Sequence, residues 1–138
     1  MPVEIINGRP LVNGKGMGRI LFSEEPISFY GGVDPLTGAI VERGHPLEGK
    51  SVKDKILIFP YGKGSTVGSY VLLRLSRRGA APSGIVNIES EPIIVVGCVL
   101  ASIPLMDRPE KSLRDDINDK RAMLVVNKDS AFLKVIYE

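Results

Sequence analysis

The chain has 138 residues, a formal net charge of +2 and a single cysteine, and 43% of its residues are hydrophobic. These values suit one globular domain over residues 1–138, without the strong positive charge that binding to nucleic acids or anionic membranes requires. The lone Cys98 excludes an internal disulfide and a metal centre built from thiolates, so a reducing cytoplasm is the expected compartment. The sequence predicts neither a signal peptide nor a membrane span.

The N-terminal third is rich in glycine and predicts short strands and loops. Strands are expected at 3–6 and 9–12, on either side of an Asn7-Gly8 turn. The run at 14–18 reads G-K-G-M-G, which alone is a weak dinucleotide-binding signal without the flanking strand and helix. A glycine-rich strand edge or bulge is the preferred interpretation. Residues 26–35 predict a long loop whose aromatic and glycine residues suit docking to a partner or the lining of a cleft.

The rest of the chain predicts alternating strands and helices. Buried strands are expected at 55–59 and 84–88, with an amphipathic helix between them that begins at Ser65 and stops at Gly79. This order implies a parallel crossover connection. The apolar run 92–101 has the β-branched residues of a strand, but its leading proline favours the short buried helix that we predict. The last predicted segments are a charged connector with room for a helical turn at 107–120, and strands at 122–126 and 131–136.

The segment of most chemical interest reads P-Y-G-K-G-S-T over residues 60–66. Glycines at 62 and 64 permit a tight turn that exposes backbone N–H groups. Ser65 is predicted at the start of the helix, among unpaired amide donors and near the positive end of the helix dipole. Such a place can hold an anion or keep a serine oxygen ionised. The simpler alternative is a helix N-cap that contributes about 1 kcal/mol. The spacing matches neither a Walker A motif nor a nucleophile elbow.

Three other features have simple interpretations. His45 is the only histidine and lies in a turn, so we expect a surface or supporting residue, with a phosphohistidine carrier as the alternative. Cys98 is expected to be a small buried residue. Asp115, Asp116 and Asp119 lie among lysines and arginines, which predicts a solvated charged face whose carboxylates could bind a cation only weakly.

Three blocks together resemble the small subunit of the aconitase X family in order and spacing. They are P-I-S-F-Y-G-G-V-D-P-L-T-G at 26–38, G-H-P-L-E-G at 44–49 and I-L-I-F-P-Y-G-K-G-S at 56–65, and the resemblance runs from about Gly14 to Pro104. It implies an α/β fold, the swivelling β/β/α domain of aconitase-like enzymes. It also implies a hydro-lyase that acts only with a separate large subunit. The cysteines of that partner would hold a 4Fe–4S cluster, and this chain alone would bind no cofactor.

The resemblance also implies a reaction and a set of site residues. In the archaeal branch of the family, water is removed from (R)-5-phosphomevalonate to give trans-anhydromevalonate 5-phosphate in a mevalonate route to isoprenoids. The active serine of the family matches Ser65, the expected acceptor of a proton from carbon. The residues expected to shape the environment of the anionic substrate are Gly62, Lys63, Gly64 and Thr66. The residues expected at the subunit interface or cleft are Ser28, Phe29, Tyr30, Gly31 and Gly32.

Two other functions stay open on the sequence. One is an aconitase X type dehydratase of another hydroxy acid, such as cis-3-hydroxyproline. The other is a non-catalytic module that binds anions or carries phosphate on His45. Replacement of Ser65 or of His45 by alanine would separate these hypotheses, because only one of the two side chains carries the chemistry in each.

Overall fold

A computed structural model describes residues 2–138, which contain seven strands and three helices. The strands are β1 (Val3–Val12), β2 (Gly14–Phe22), β3 (Ile56–Phe59), β4 (Gly84–Asn87), β5 (Leu105–Asp107), β6 (Arg121–Val126) and β7 (Ala131–Ile136). The helices are α1 (Phe29–Gly32), α2 (Gly68–Arg77) and α3 (Pro92–Ala101), and a 3₁₀ turn spans Asp115–Ile117.

The strands close into a barrel in the order β1-β5-β4-β3-β2-β6-β7. Strands β2, β3, β4 and β5 run parallel to one another, and the remaining pairs are antiparallel. The two longest strands each serve two neighbours, because β1 pairs first with β7 and then with β5, and β2 pairs first with β6 and then with β3. This mixed barrel with helices outside it confirms the predicted α/β class.

The predicted turn at Asn7-Gly8 is wrong, and the two short strands expected around it are one continuous strand, β1. Asn7 and Gly8 still pair with β7, and β1 changes partner to β5 directly after them. A Cβ atom at Gly8 would lie 2.7 Å from both the carbonyl oxygen of Asp107 and Cγ of Met106. The glycine therefore serves the close approach of β1 to β5 and not a chain reversal.

The glycine-rich run at 14–18 is part of strand β2, as the strand interpretation predicted. The expected edge or bulge is wrong, because β2 lies between β3 and β6 and keeps an unbroken register with β6 from Gly14 to Arg19. A Cβ atom at Gly16 would overlap the carbonyl group of Ser83, and one at Gly18 would overlap that of Asp54. Because Gly16 and Gly18 have no side chains, the connections before β3 and β4 can cross directly over β2.

Replacement of Gly16 by alanine should lower the free energy of unfolding by about 2 kcal/mol or more, because a new methyl group would displace the backbone that leads into β4. Urea unfolding followed by circular dichroism measures the change. Met17→Ala is the matched control, because the Met17 side chain is exposed and its loss should change stability by less than about 0.5 kcal/mol. Equal unfolding midpoints for the two variants would contradict the packing that we describe.

Helices α2 and α3 pack against each other and cover one side of the barrel. The Ser69 hydroxyl donates to the carbonyl oxygen of Ile93 at 2.7 Å, and Gly97 lets α3 approach Leu72 closely. Helix α3 confirms the prediction for 92–101, since the carboxylate of Glu91 accepts hydrogen bonds from the first free amides of the helix. Among residues 2–138 no helix has the length and apolar character to span a membrane.

Most of the other predicted elements are confirmed by the structure. The expected strands at 55–59, 84–88, 122–126 and 131–136 are confirmed, as are the parallel crossover, the stop at Gly79 and a helical turn within the charged connector. Strand β5 was not predicted, because its three residues are too few to show a periodic pattern. The expected loop at 26–35 contains the short helix α1, whose backbone leaves helical values at Tyr30 and Gly31.

Candidate active site

The loop that carries Ser65 begins at the carboxyl end of β3 and leads into α2. Helix α2 begins at Gly68, three residues later than predicted, so Ser65 caps a turn before the helix and not the helix itself. The Ser65 hydroxyl accepts a hydrogen bond from Val67 N at 3.2 Å, and the Ser65 carbonyl accepts one from Gly68 N at 3.0 Å. The expected position at a loop–helix junction is therefore confirmed, with the helix start displaced.

Three consecutive backbone donors of the Ser65 loop are unpaired in the described part of the chain. The N–H groups of Gly64, Ser65 and Thr66 donate to no acceptor within residues 2–138. Gly64 has φ +89°, a left-handed value that glycine adopts without strain and that gives the loop its sharp turn. The three residues are exposed. The loop thus offers unpaired amide donors and a hydroxyl group to whatever covers this surface.

The two segments that the sequence marked as a site and as an interface lie side by side. Ile27 and Gly62 form a parallel bridge, and Lys63 N donates to the Ile27 carbonyl at 3.0 Å. A Cβ atom at Gly64 would lie 2.5 Å from the hydroxyl oxygen of Ser28. The segment that starts at Ser28 therefore forms one wall beside the Ser65 loop.

Only part of the 28–32 segment is available to a partner. Phe29 is a core residue with 1% exposure, and its ring packs on that of Phe59 with centroids 6.1 Å apart. Its expected exposure is therefore wrong, because the aromatic ring closes the core under the loop. Tyr30 is the exposed aromatic residue, with 57% of its surface accessible. Gly31 has φ +86° and space around it for a contacting chain.

The predicted substrate-binding lysine is paired within the chain. Lys63 Nζ lies 3.2 Å from Oε2 of Glu42, and the same carboxylate lies beside Gly32. Both side chains are partly exposed, so the pair contributes little to stability. Glu42 was not predicted as a site residue, because nothing in the sequence pattern connects position 42 with position 63.

The remaining two candidates differ in their access to solvent. Thr66 is exposed, and its carbonyl accepts a hydrogen bond from Ser69 N at 3.2 Å. Gly62 is buried under α3, where a Cβ atom would lie 2.5 Å from Oε1 of Glu91 and 2.6 Å from Cγ1 of Ile94. Gly62 therefore permits α3 to pack on the loop, whereas Thr66 faces the open surface.

His45 is a buried supporting residue, which is the second of the two expected roles and not a surface position. It is 7% exposed, its Nδ1 accepts from Leu47 N at 3.0 Å, and its Nε2 lies 3.0 Å from the carbonyl oxygen of Pro26. Since Nδ1 is an acceptor here, Nε2 carries the proton and donates to Pro26. The ring ties block 44–49 to block 26–38, and neither nitrogen is free to receive a phosphoryl group.

The residues that the structure describes do not fit an iron–sulfur cluster. Cys98 is fully buried in α3, as predicted, and burial raises the pKa of its thiol well above the ordinary value. Over the described part of the chain, residues 2–138, no group of three histidine, cysteine or acidic side chains could hold a metal ion. The acidic residues at 115, 116 and 119 lie on an exposed, charged surface.

Cys98 should not react with a thiol reagent such as dithionitrobenzoate while the protein is folded, because the thiol is buried and the thiolate disfavoured. Full reaction is expected in concentrated urea. The two rates are compared by absorbance at neutral pH under reducing-agent-free conditions. Rapid modification of the folded chain would contradict the packing of α3.

Comparisons with known proteins show the family of this chain. The model of the family described as the aconitase X swivel domain matches residues 5–135, a longer span than the resemblance in the sequence. The phosphomevalonate dehydratase small subunit of Methanosarcina acetivorans is 47% identical over 136 residues, which cover 99% of this chain and 93% of that protein. The Methanosarcina mazei protein of the same name is 50% identical over 118 residues, 86% of this chain and 82% of that one.

A solved structure shares the fold over its whole length. The crystal structure of Thermococcus kodakaraensis aconitase X in its holo-form matches with a TM-score of 0.88 and 34% identity. The match covers 97% of this chain and 99% of that one. From the family match over residues 5–135 and these similarities, the chain belongs to the aconitase X swivel domain family.

Proposed function

We propose that this chain is the small subunit of a phosphomevalonate dehydratase, a hydro-lyase that removes water from (R)-5-phosphomevalonate to give trans-anhydromevalonate 5-phosphate. Relatives of that name align with nearly the whole chain at about half identity, which supports the assignment. The reaction would serve isoprenoid synthesis by the archaeal mevalonate route, in the cytoplasm.

In this proposal Ser65 is the base. Its oxygen, as the alkoxide, accepts the proton from a substrate carbon while the neighbouring C–O bond breaks and a double bond forms. The hydroxide that leaves takes a proton from solvent to become water, and Ser65 then returns its proton to solvent. A serine hydroxyl is a very weak acid, and its alkoxide needs fixed donors to reach a useful population. The observation that carries this role is that Val67 N donates to that hydroxyl in a loop whose N–H groups at Gly64, Ser65 and Thr66 are unpaired among the described residues.

A second polypeptide has to complete the site. Ser65 is exposed in this chain, and amide dipoles stabilise an anion strongly only where water is excluded. We place the large subunit over the Ser65 loop and over the wall formed by residues 28–32, where Tyr30 and Gly31 are accessible. Lys63 lies at the edge of the same surface and can contact a phosphate or carboxylate once it leaves Glu42.

The implied 4Fe–4S cluster is assigned to the large subunit. Cys98 cannot serve it, because its thiol is buried, protonated and without a second cysteine. It follows that this chain alone should have no dehydratase activity. The phosphocarrier alternative has no support in the geometry of His45, whose ring nitrogens are both occupied.

The test is reconstitution with a large subunit under anaerobic conditions. The chain, its partner and the mixture are each given (R)-5-phosphomevalonate, and loss of water is followed by NMR; cis-3-hydroxyproline is the competing substrate. We expect activity only in the mixture and only with the phosphorylated acid. Turnover of the hydroxyproline alone would reassign the substrate, and activity of the isolated chain would overturn the division of the site between two subunits.

A further inference from the structure

Asn87 is a buried polar side chain that none of the roles above uses. It ends strand β4 and has 0% exposure, in a type of position that seldom favours asparagine. Its Nδ2 donates to the carbonyl oxygen of Phe59 at 3.0 Å, and its Oδ1 accepts from the Ser90 hydroxyl at 2.8 Å. Both ends of the amide are thus satisfied, as burial requires.

The hydrogen bonds around Asn87 converge on the start of the Ser65 loop. The carbonyl of Pro60 accepts from Ile88 N at 3.0 Å and from Glu89 N at 3.2 Å. Together with the bond from Asn87 to Phe59, three donors from the end of β4 hold the two residues at which β3 becomes the loop. The loop is exposed from Lys63 to Val67 and is otherwise held by the bond from Lys63 N to the Ile27 carbonyl, so its position depends strongly on how its first residues are fixed.

Asn87 is itself oriented by a further buried group. Ser90, which binds its Oδ1, donates its backbone N–H to Oδ2 of Asp107 at 2.8 Å. Asp107 has 0% exposure and pairs with Arg9 through an N–O contact of 2.8 Å. The anchor of the loop therefore extends into strands β5 and β1 of the barrel, which are rigid elements.

We propose that Asn87 is a positioning residue for the dehydration, and that it holds the Ser65 loop through Phe59 and Pro60. The proposal rests on the proposed function, in which Ser65 is the base. Strand pairing already joins Phe59 to Asn87 by backbone contacts, so a residue of any type would maintain the sheet. The amide adds a donor aimed at the last carbonyl before the loop, which backbone pairing does not supply.

The test uses Asn87→Leu, which keeps the approximate size and removes both hydrogen bonds, and Ser90→Ala, which removes only the group that orients Asn87. In the reconstituted enzyme we expect Asn87→Leu to lower kcat about 100-fold and Ser90→Ala by a smaller factor, because a small displacement of a base costs up to this much. KM and subunit affinity should change by less than about threefold, since Asn87 is fully buried and both side chains act through the position of the loop.

Ile6→Val is the control, because it truncates a fully buried side chain of β1 that shares none of these hydrogen bonds. A loss of kcat in this control equal to that of Asn87→Leu would mean that general destabilisation explains both, and would overturn the proposal. If Asn87→Leu does not fold, the test depends on Ser90→Ala alone. A kcat of Ser90→Ala equal to that of the wild type would then overturn the positioning role of Asn87.

Hydrogen exchange of the isolated chain keeps this test separate from the proposed function. In Asn87→Leu and Ser90→Ala, the amides of Ile88 and Glu89 should exchange faster, whereas those of β6 and β7 keep the wild-type rates. If the wild-type mixture has no dehydratase activity, the proposed function fails, and this measurement still reports whether Asn87 holds the loop. Unchanged exchange at Ile88 and Glu89 in both variants would overturn the inference.

Discussion

Replacement of Ser65 by alanine should lower kcat of the reconstituted dehydratase by about a thousandfold, because the change removes the group that accepts the proton. The same change should leave the fold intact. Within the described chain, the Ser65 hydroxyl has one hydrogen bond, from Val67 N, and its loss costs about 1 kcal/mol of stability. Steady-state turnover with excess large subunit measures kcat, and sedimentation of the mixture measures association.

Ser130→Ala is the matched control for this prediction. Ser130 is exposed in the turn between β6 and β7, and it contributes its backbone carbonyl to a bond with Asn127 N. Its replacement should leave kcat and association as in the wild type. Retention of kcat within tenfold in Ser65→Ala, with the complex formed, would remove Ser65 from the reaction.

Replacement of Gly64 by alanine should lower kcat about 100-fold, because it would displace Ser65 together with the unpaired amides of its loop. Two causes act together. The left-handed backbone at φ +89° is unfavourable for alanine, and the new Cβ would lie 2.5 Å from the Ser28 hydroxyl. The loop can relieve both only by moving, and Ser65 follows directly.

Gly49→Ala separates these causes. Gly49 has φ +86° and no atom within 4 Å of an added Cβ, so the variant carries the same backbone strain without a steric contact. It should lose about 1 kcal/mol of stability and keep its kcat. Equal kcat values for Gly64→Ala and Gly49→Ala, measured on folded complexes, would show that the shape of the loop is unimportant.

The elements predicted correctly are those whose pattern is local. Strands β3 and β4 are short apolar runs, and α2 has an apolar stripe that ends at a glycine. Closure of the barrel depends on contacts between residues far apart in sequence, such as Arg9 with Asp107, which are 98 positions apart. No short stretch of the sequence can show which distant residues will come into contact. The wrong prediction of a turn at Asn7-Gly8 has the same origin, because Gly8 is needed for the close approach of β5, which lies far away in the sequence.

The candidate site likewise contains residues that the sequence predicts and residues that only the folded chain reveals. The Ser65 loop could be predicted from the sequence, because two closely spaced glycines directly after a strand indicate a tight backbone turn. The neighbouring wall at 28–32 was linked to it only by the family resemblance. Glu42 and Asn87 were missed, since a glutamate in a loop and an asparagine at a strand end have many ordinary uses. Their partners, Lys63 and Phe59, become evident only when the chain is folded.

The central claim, that the Ser65 oxygen takes a proton from carbon, is tested most directly by deuterium exchange into the substrate. The complex is allowed to interconvert (R)-5-phosphomevalonate and its dehydrated product in D₂O, and deuterium at carbon is measured by NMR. The wild type and Ser130→Ala should incorporate deuterium at the carbon that loses its proton, whereas Ser65→Ala should incorporate none on that timescale. Incorporation at the wild-type rate by Ser65→Ala would place the base on another residue.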